Sequence, residues 1–358
     1  MKTSVKILQW ILSVIGVLLV VVLAYVAYVF IDYHRIEDNQ TLDVANRTQE
    51  APKQGVEYSI VSYNMGFGAY EPDFGFFMDG GGQSRAWSSA RLDRNLGNIG
   101  SLLKTLDSDF YLIQEVDINS TRSYHFDQRR YLTEALDRYS SVFALNYDSP
   151  YLFYPFTNPH GKSVSGIMTF SAFDIQSALR RSLPVETGFS KLLDLDRCYT
   201  KSRIAMDGGG TLVLYNFHLS AYTSDGVVTV KQLELLLSDM YNEYTNGAWC
   251  IAGGDFNKDI AGVGSRPFCN STQEYTWAQP VSDSLFTESG IIKVSPYDSD
   301  NPVASCRNAD GPYHPDQYQI IIDGFLVSPN VTVRAAHVID TQFACSDHNP
   351  VQMSFMLQ

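Results

Sequence analysis

The stretch Ile251-Ala-Gly-Gly-Asp-Phe-Asn257 places an acid and an amide one residue apart, after an apolar run that begins at Trp249. In an extended chain, alternate side chains share a face, so Asp255 and Asn257 would lie on one side. Gly253 and Gly254 allow a tight turn or a close approach of backbone to a ligand. A carboxylate beside an amide at a strand's end can orient a water molecule or hold a phosphate oxygen. Taken alone, the stretch reads equally well as a plain turn. Four other apolar runs carry similar groups: Asn64 after Tyr58 to Tyr63, Glu115 after Phe110 to Ile113, Asn216 with His218, and Asp347 with His348 before Val351 to Met356. Asp323 lies inside the apolar run Gln319 to Val327, where a carboxylate is costly unless paired. Each has an ordinary structural reading, and the signal lies in their number and order.

The elements that must position these groups follow from periodicity. Arg91 to Leu106 carries Leu92, Leu96, Ile99, Leu103 and Leu106 at helical spacing, and Phe110 to Ile113 is then a continuous apolar strand. A helix followed by a buried strand predicts a layered α/β domain. Further helices are predicted over Gln128 to Tyr139 and Thr229 to Tyr244. Strands are predicted over Gly166 to Phe170, Asp174 to Pro184, Gln319 to Val327, Val331 to Ile339 and Val351 to Met356. Ser202 to Met206 and Leu212 to Phe217 read as a hairpin around Asp207-Gly-Gly-Gly. Met65 to Ser88, rich in glycine and aromatic residues, fits no period and is either a binding loop or an excursion packed on its own rings. Asn146 to Lys162 and Ser265 to Pro315 read as loop-rich.

The chain of 358 residues is long enough for one large domain with a sizeable core. Its formal net charge of −13 repels phosphate backbones at long range and disfavours avid nonspecific nucleic-acid binding. A bound cation reverses such a field locally, so metal-assisted phosphoester chemistry remains open. The five cysteines show no zinc-type spacing, and an odd count leaves at least one thiol free. Cys269 and Cys306 are the pair that could bridge if the domain is outside the cell.

Ile7 to Ile31 is an apolar run of 25 residues, broken clearly only by Gln9 and Ser13. That is long enough to cross a bilayer of about 30 Å with some tilt. Trp10 stands near one end and Tyr25, Tyr28 and Tyr33 near the other, as interfacial aromatics do. Lys2 and Lys6 precede the run, which points to a cytoplasmic N-terminus. A cleaved signal peptide is the weaker reading, because the run is too long and no Ala-x-Ala site follows it. The expected organisation is a cytoplasmic N-terminus (1–6), a transmembrane helix (7–31), a polar tether (32–55) and a catalytic domain (56–358) on the outer face of the cell membrane.

In order, Ser-Tyr-Asn64, Gln-Glu115-Val-Asp, Asn216-Phe-His218-Leu, Gly-Gly-Asp255-Phe-Asn257, Ile-Ile-Asp323 and Ser-Asp347-His348 resemble the motifs of the endonuclease/exonuclease/phosphatase superfamily. The resemblance spans about residues 57 to 357. It implies a DNase I-like α/β sandwich of four layers, with two packed mixed β-sheets and a site at one edge. It also implies roles. Glu115, helped by Asn64, would bind Mg²⁺ (or Mn²⁺), a hard cation that prefers oxygen ligands. Asp255 would orient or deprotonate the attacking water, and Asn257 would hold the phosphate. His218 and His348 would donate to phosphate oxygens, Asp323 would fix the His348 ring, and Asp347 would bind metal or brace its neighbour. Asp255 and His348 both remain candidates for the general base.

Departures from the family pattern bear on substrate. No Arg/Lys-rich nucleic-acid surface is evident, with 26 basic against 39 acidic residues. The tyrosine that nucleases of this family place in the site is unassigned, with Tyr124 and Tyr222 the candidates. Ser171-Ala-Phe-Asp stands where a basic residue usually follows the strand, and Arg197 is a candidate phosphate ligand. The favoured reading is a membrane-anchored phosphoesterase acting on a lipid headgroup or small phosphoester. The alternative substrate is extracellular nucleic acid, and the remote alternative is an inactive surface-binding module.

Overall fold

The computed structural model describes residues 2–185, 196–221, 227–271, 273 and 275–358. Among the described residues the α-helices are α1 (Lys2–Asp32), α2 (Ser89–Leu106), α3 (Gln128–Ala135), α4 (Val227–Thr245) and α5 (Ser284–Ser289). The strands begin with β1 (Gln40–Leu42), β2 (Val44–Ala45), β3 (Glu57–Asn64), β4 (Phe110–Asp117), β5 (Ser140–Asp148) and β6 (Val164–Ser171). They continue with β7 (Ile175–Ser182), β8 (Cys198–Ala205), β9 (Thr211–His218), β10 (Trp249–Asp255) and β11 (Ile292–Val294). The last are β12 (Cys306–Arg307), β13 (Gln319–Ile320), β14 (Asp323–Val327), β15 (Val331–Val338) and β16 (Val351–Leu357).

Two seven-stranded mixed sheets form the body, in the orders β1-β7-β8-β9-β10-β14-β11 and β15-β16-β3-β4-β6-β5-β2. Each has one parallel pair near its centre: β9 with β10, and β3 with β4. Parallel neighbours need a crossover, and α4 and α2 supply the two. Residues at the carboxyl ends of β3, β4, β9 and β10 are thereby brought towards one edge, where open α/β sheets bind ligands.

The layers follow from what each face buries. Ile60, Phe110 and Leu112 from one sheet meet Leu212, Leu214, Ile251 and Phe325 from the other in a shared core. Leu233, Leu236, Leu237 and Met240 seat α4 on the outer face of the first sheet. Leu92, Leu96, Ile99 and Leu103 seat α2 over Val61, Tyr63, Tyr111 and Ile113 of the second. The result is the expected helix-sheet-sheet-helix sandwich. Gly253 and Gly254 are required by this packing. A Cβ on Gly253 would lie 2.8 Å from Leu112 across the interface, and one on Gly254 would lie 2.0 Å from the Phe217 carbonyl oxygen.

Several elements differ from the sequence-based expectation. Residues 32–55, expected to be a tether, add an edge strand to each sheet, β1 against β7 and β2 against β5. The expected strand Gln319 to Val327 is two strands with a break at residues 321–322, and Asp323 opens the second. Strand β4 does not stop at Ile113 but runs on through Glu115 to Asp117. Strand β5 takes in Asn146 to Asp148 from the expected loop. In the 65–88 excursion, Phe67, Tyr70, Phe74 and Phe76 are buried and stack edge to face or tilted on one another, so it packs on its own rings. All five cysteines are free thiols, and no Cys269–Cys306 bridge forms.

Helix α1 leaves the sandwich as a long, almost wholly exposed apolar rod, long and apolar enough to cross a membrane. Its C-terminal part is tied to the domain. The Tyr25 hydroxyl donates to the Tyr151 carbonyl at 3.0 Å, and the Tyr151 N–H donates to the Tyr28 hydroxyl at 3.0 Å.

Candidate active site

Strand register assembles the centre. Asp255 is the cross-strand neighbour of His218 on its parallel side and of Asp323 on its antiparallel side. Its Oδ2 lies 3.3 Å from His218 Nε2 and 3.8 Å from His348 Nε2, and it accepts a hydrogen bond from Asn64 Nδ2 at 3.1 Å. Its Oδ1 accepts the Asn257 N–H at 2.7 Å. Five of the expected residues thus surround one buried carboxylate. Burial raises the Asp255 pKa to about 7, although His348, the Asn257 N–H and Asn64 each pull it down. Around neutral pH this carboxyl is poised to take or release a proton.

His348 is held from behind by Asp323, whose Oδ2 lies 2.8 Å from His348 Nδ1. Burial opposes its charge, but Asp323 and then the Cys306 sulfur outweigh burial and carry its pKa well above the usual histidine value. His348 is therefore an imidazolium. The second imidazole has the opposite character. Burial, and then the positive charges of Arg197, His348 and Arg122, depress the His218 pKa far below its ordinary value. His218 is neutral, and its Nδ1 is buried without a hydrogen-bond partner.

The other expected residues line the cleft beside this centre. Asn64 Nδ2 also donates to Glu115 Oε1 at 3.3 Å, and its Oδ1 accepts the Gly66 N–H at 3.0 Å. Glu115 sits at an irregularity of the β4–β6 pairing between Ile113 and Val116, with φ of 58°. That left-handed backbone is unusual for a glutamate and turns the side chain out of the strand's alternation. Asp347 accepts from the Ser346 hydroxyl at 3.2 Å. Burial raises the pKa of both Glu115 and Asp347, and the charge of Asp347 raises that of Glu115 further. Asn257 has φ of 49°, and its Nδ2 donates to the Leu219 carbonyl at 2.8 Å. Asn216, expected near the site, is instead a clamp between the sheets. Its Nδ2 donates to the Ile113 and Met168 carbonyls, and its Oδ1 accepts from Gln114.

Asp255, Asp323 and His348 also fall within metal-ligand distance of one another. Their donors are already engaged in an ion-paired network with a protonated imidazole, which repels a cation. Glu115 and Asp347 fit a divalent cation better. Both are oxygen donors, both are partly exposed to the cleft, and the Asp347 charge acts on Glu115. Oxygen donors and surplus negative charge suit a hard cation that keeps several waters.

Three residues near the site escaped sequence reading. Arg122 is buried, pairs bidentately with Asp117 at 2.9 and 3.0 Å, and stacks 3.9 Å over the Phe67 ring. Its charge lowers the pKa of Glu115. Arg307 is fully buried behind Asp347, and its N–H donates to the Asp347 carbonyl. Tyr70 is buried close enough to Asp347 and Glu115 for their charges to raise its pKa after burial has done so. Thr-Arg122-Ser, close after Gln-Glu115-Val-Asp117, was the one local signal. The other candidates fare differently. Tyr124 is exposed and bonds the Ala86 carbonyl away from the centre, and Tyr222 lies outside the described residues. Arg197 is buried, and its charge is felt by His218.

Two mixed sheets enclose a polar edge of carboxylates, amides and imidazoles, an α/β sandwich with a polar centre at its rim. A model of the Endonuclease/Exonuclease/phosphatase family matches residues 61–348, and the chain belongs to that family. The family hydrolyses phosphoester bonds. Among solved structures, the chain is similar to the endonuclease/exonuclease/phosphatase from Beutenbergia cavernae DSM 12333, with 19% identity and a TM-score of 0.57 over 84% of this chain and 72% of that one. ANGEL2, a 2′,3′-cyclic phosphatase in complex with adenosine-2′,3′-vanadate, shows 16% identity and a TM-score of 0.57 over 90% of this chain and 99% of that one. The human Nocturnin catalytic domain with bound sulfate shows 16% identity and a TM-score of 0.53 over 88% and 98%. No curated protein sequence matches the chain.

Proposed function

We propose that this protein is a membrane-anchored, divalent-metal-dependent phosphoesterase, with its N-terminus cytoplasmic and its catalytic domain on the outer face. It hydrolyses a lipid headgroup or small phosphoester by in-line attack of water. The observation that carries the chemistry is the contrast around Asp255. One flanking imidazole, His348, is backed by the Asp323 carboxylate at 2.8 Å, and the other, His218, has a buried Nδ1 with no hydrogen-bond partner. His348, charged and backed by Asp323, is a donor to a phosphoryl oxygen as negative charge builds there. Asp255, with a pKa of about 7, is the group that accepts the proton of the attacking water. His218 orients that water or the phosphate, and Asn64 holds Asp255 and Glu115 together. A cation on Glu115 and Asp347 would supply charge stabilisation at the phosphoryl and leaving oxygens.

The membrane assignment draws on the junction of α1 with the domain. Phe153, Tyr154 and Phe156 are 49%, 62% and 84% exposed, on the loop that Tyr25 and Tyr28 grip. Three exposed rings beside the end of an apolar rod are what an interfacial aromatic belt supplies. Tyr154 in turn stacks on Phe77 of the 65–88 excursion, whose first residues border Asp347 and Asn64. Contacts thus run from the anchor to the rim of the site, which favours a substrate presented at the bilayer surface.

The test uses the full-length protein in vesicles with Mg²⁺. Sphingomyelin, a phosphoinositide, bis(p-nitrophenyl) phosphate and plasmid DNA are assayed side by side, with His348→Ala as control. Turnover of lipid or small ester that vanishes in the variant is expected. Cleavage of DNA alone would replace this reading with a surface nuclease, and inertness towards all four would reject the enzyme.

A further inference from the structure

Lys258 directly follows Asn257 and is 6% exposed. Among the described residues its ammonium has no ion-pair or hydrogen-bond partner, and burial alone depresses its pKa. An ammonium partly withdrawn from water and without a counter-charge is stabilised when an anion is brought to it. Lys258 lines a cavity of about 420 Å³ between the first two turns of α4 and the segment 279–282. The apolar walls are Val230, Leu233, Pro280 and Val281. Among the described residues, the one carboxylate on the lining is Glu234, exposed at the rim, one turn from the exposed Lys231. The volume falls in the range of small-molecule sites, roughly 300 to 1,000 Å³, and exceeds what one small anion needs.

The cavity is built onto the catalytic strands. Thr229 Oγ1 of α4 donates to the Ser220 carbonyl at 3.1 Å, and Gln232 brackets Ser220 through its N–H and hydroxyl. Ser220 lies two residues beyond His218. On the opposite wall, Val281 N–H donates to the Asp259 carbonyl at 3.3 Å, and Asp259 N–H donates to the Gln279 carbonyl at 3.1 Å. Helix α4, tied through Thr229 to the chain leaving His218, and Lys258, on the chain leaving Asp255, therefore line the same cavity.

We infer that this cavity is a specificity subsite that receives a second anionic group of the substrate, a phosphate on Lys258 joined to an apolar or ring-shaped body against α4 and Pro280. The inference rests on the phosphoesterase reading and deepens it. The enzyme would prefer phosphoesters bearing a second phosphate over otherwise identical compounds without one.

The experiment compares matched pairs on the full-length protein in detergent micelles with Mg²⁺. One pair is thymidine 5′-(p-nitrophenyl phosphate) with and without a 3′-phosphate, and the other is phosphatidylinositol 4-phosphate against phosphatidylinositol. The expected result is a preference of about tenfold or more in kcat/KM for the doubly phosphorylated member of one pair, in line with one charge-assisted contact. The pair that shows it tells a soluble nucleotide-like substrate from a lipid headgroup. Lys258→Met should bring that ratio close to one, and Lys258→Arg should retain most of it. Because a ratio is read, any general loss of activity or fold cancels. Equal turnover within both pairs, or a preference that survives Lys258→Met, overturns the subsite and leaves the phosphoesterase intact. If neither pair is hydrolysed, the phosphoesterase reading fails separately. Calorimetry with thymidine 3′,5′-bisphosphate and thymidine 5′-monophosphate then decides the subsite, and equal affinities reject it.

Discussion

His348 Nδ1 lies 2.8 Å from Asp323 Oδ2, both side chains are buried, and the two residues stand 25 positions apart on different elements. The contact holds the ring charged, and it faces Asp255 with the opposite nitrogen. Replacing Asp323 by Asn removes the counter-charge while keeping the shape. Activity should fall by about 10²- to 10⁴-fold, the usual worth of a positioned proton donor. The pH–rate profile should lose its alkaline limb at the wild-type position, because the ring then deprotonates at lower pH. An unshifted profile with only a weaker KM would reject the positioning role.

Glu115→Gln keeps the Asn64 contact but removes one of the two charges that suit a cation. Calorimetric titration with Mn²⁺ should show binding weakened by at least about tenfold. The metal-free variant should melt at least as high as the wild type, since the mutual repulsion with Asp347 is gone. Undiminished Mn²⁺ affinity would move the metal site elsewhere.

His160 offers a stability test outside the site. It lies between Ser84 and Ser163, with Nδ1 3.1 Å from the Ser84 carbonyl and Nε2 3.2 Å from the Ser163 hydroxyl. Nδ1 therefore carries the proton and Nε2 accepts. Burial, and then the charge of Arg122, lower its pKa to about 4. A folded pKa below the unfolded value of about 6.5 means the contribution is present above pH 6.5 and lost as pH falls towards 4. Up to about 3 kcal/mol is at stake by the same linkage. In urea titrations at pH 7.5 and 5, His160→Gln should lose less stability between the two than the wild type. Equal losses would show that His160 does not titrate as described.

Gly254→Ala should fail to give a native sandwich. The added Cβ would meet the Phe217 carbonyl at 2.0 Å, in backbone that cannot move without breaking the β9–β10 pairing. A loss of at least about 3 kcal/mol is expected, at the upper end for overpacking. A thermal melt within a few degrees of wild type would contradict the packing.

The exposed rings beside α1 make a further prediction. Replacing Phe153, Tyr154 and Phe156 together by Ser should lower turnover of a vesicle-borne substrate relative to a water-soluble one by about tenfold. Each buried ring contributes roughly 1.5 to 3 kcal/mol at an apolar boundary, less where burial is partial. A constant ratio would separate the aromatic loop from membrane contact.

The amino-acid sequence alone determined the layered α/β class, the apolar rod and the chain order of the polar strand ends. Those features are local: periodicity in Arg91 to Leu106, unbroken hydrophobicity in Ile7 to Ile31, and Gly-Gly-Asp255-Phe-Asn257 at a strand's end. Tertiary structure decided which of those groups meet. Asn64, His218, Asp323 and His348 converge on Asp255 because two parallel pairs, one in each sheet, bring their carboxyl ends to the same edge. It also separated Asn216, a clamp between the sheets, from His218 two residues away. The split of the two imidazoles into a neutral and a cationic one was invisible in the sequence, because it depends on which charges burial brings near each ring. The same holds for Arg122, Arg307, Tyr70 and Lys258. Nothing in their local sequence distinguishes a solvated surface charge from a buried one, and only the packing of the sheets and their loops removes the water.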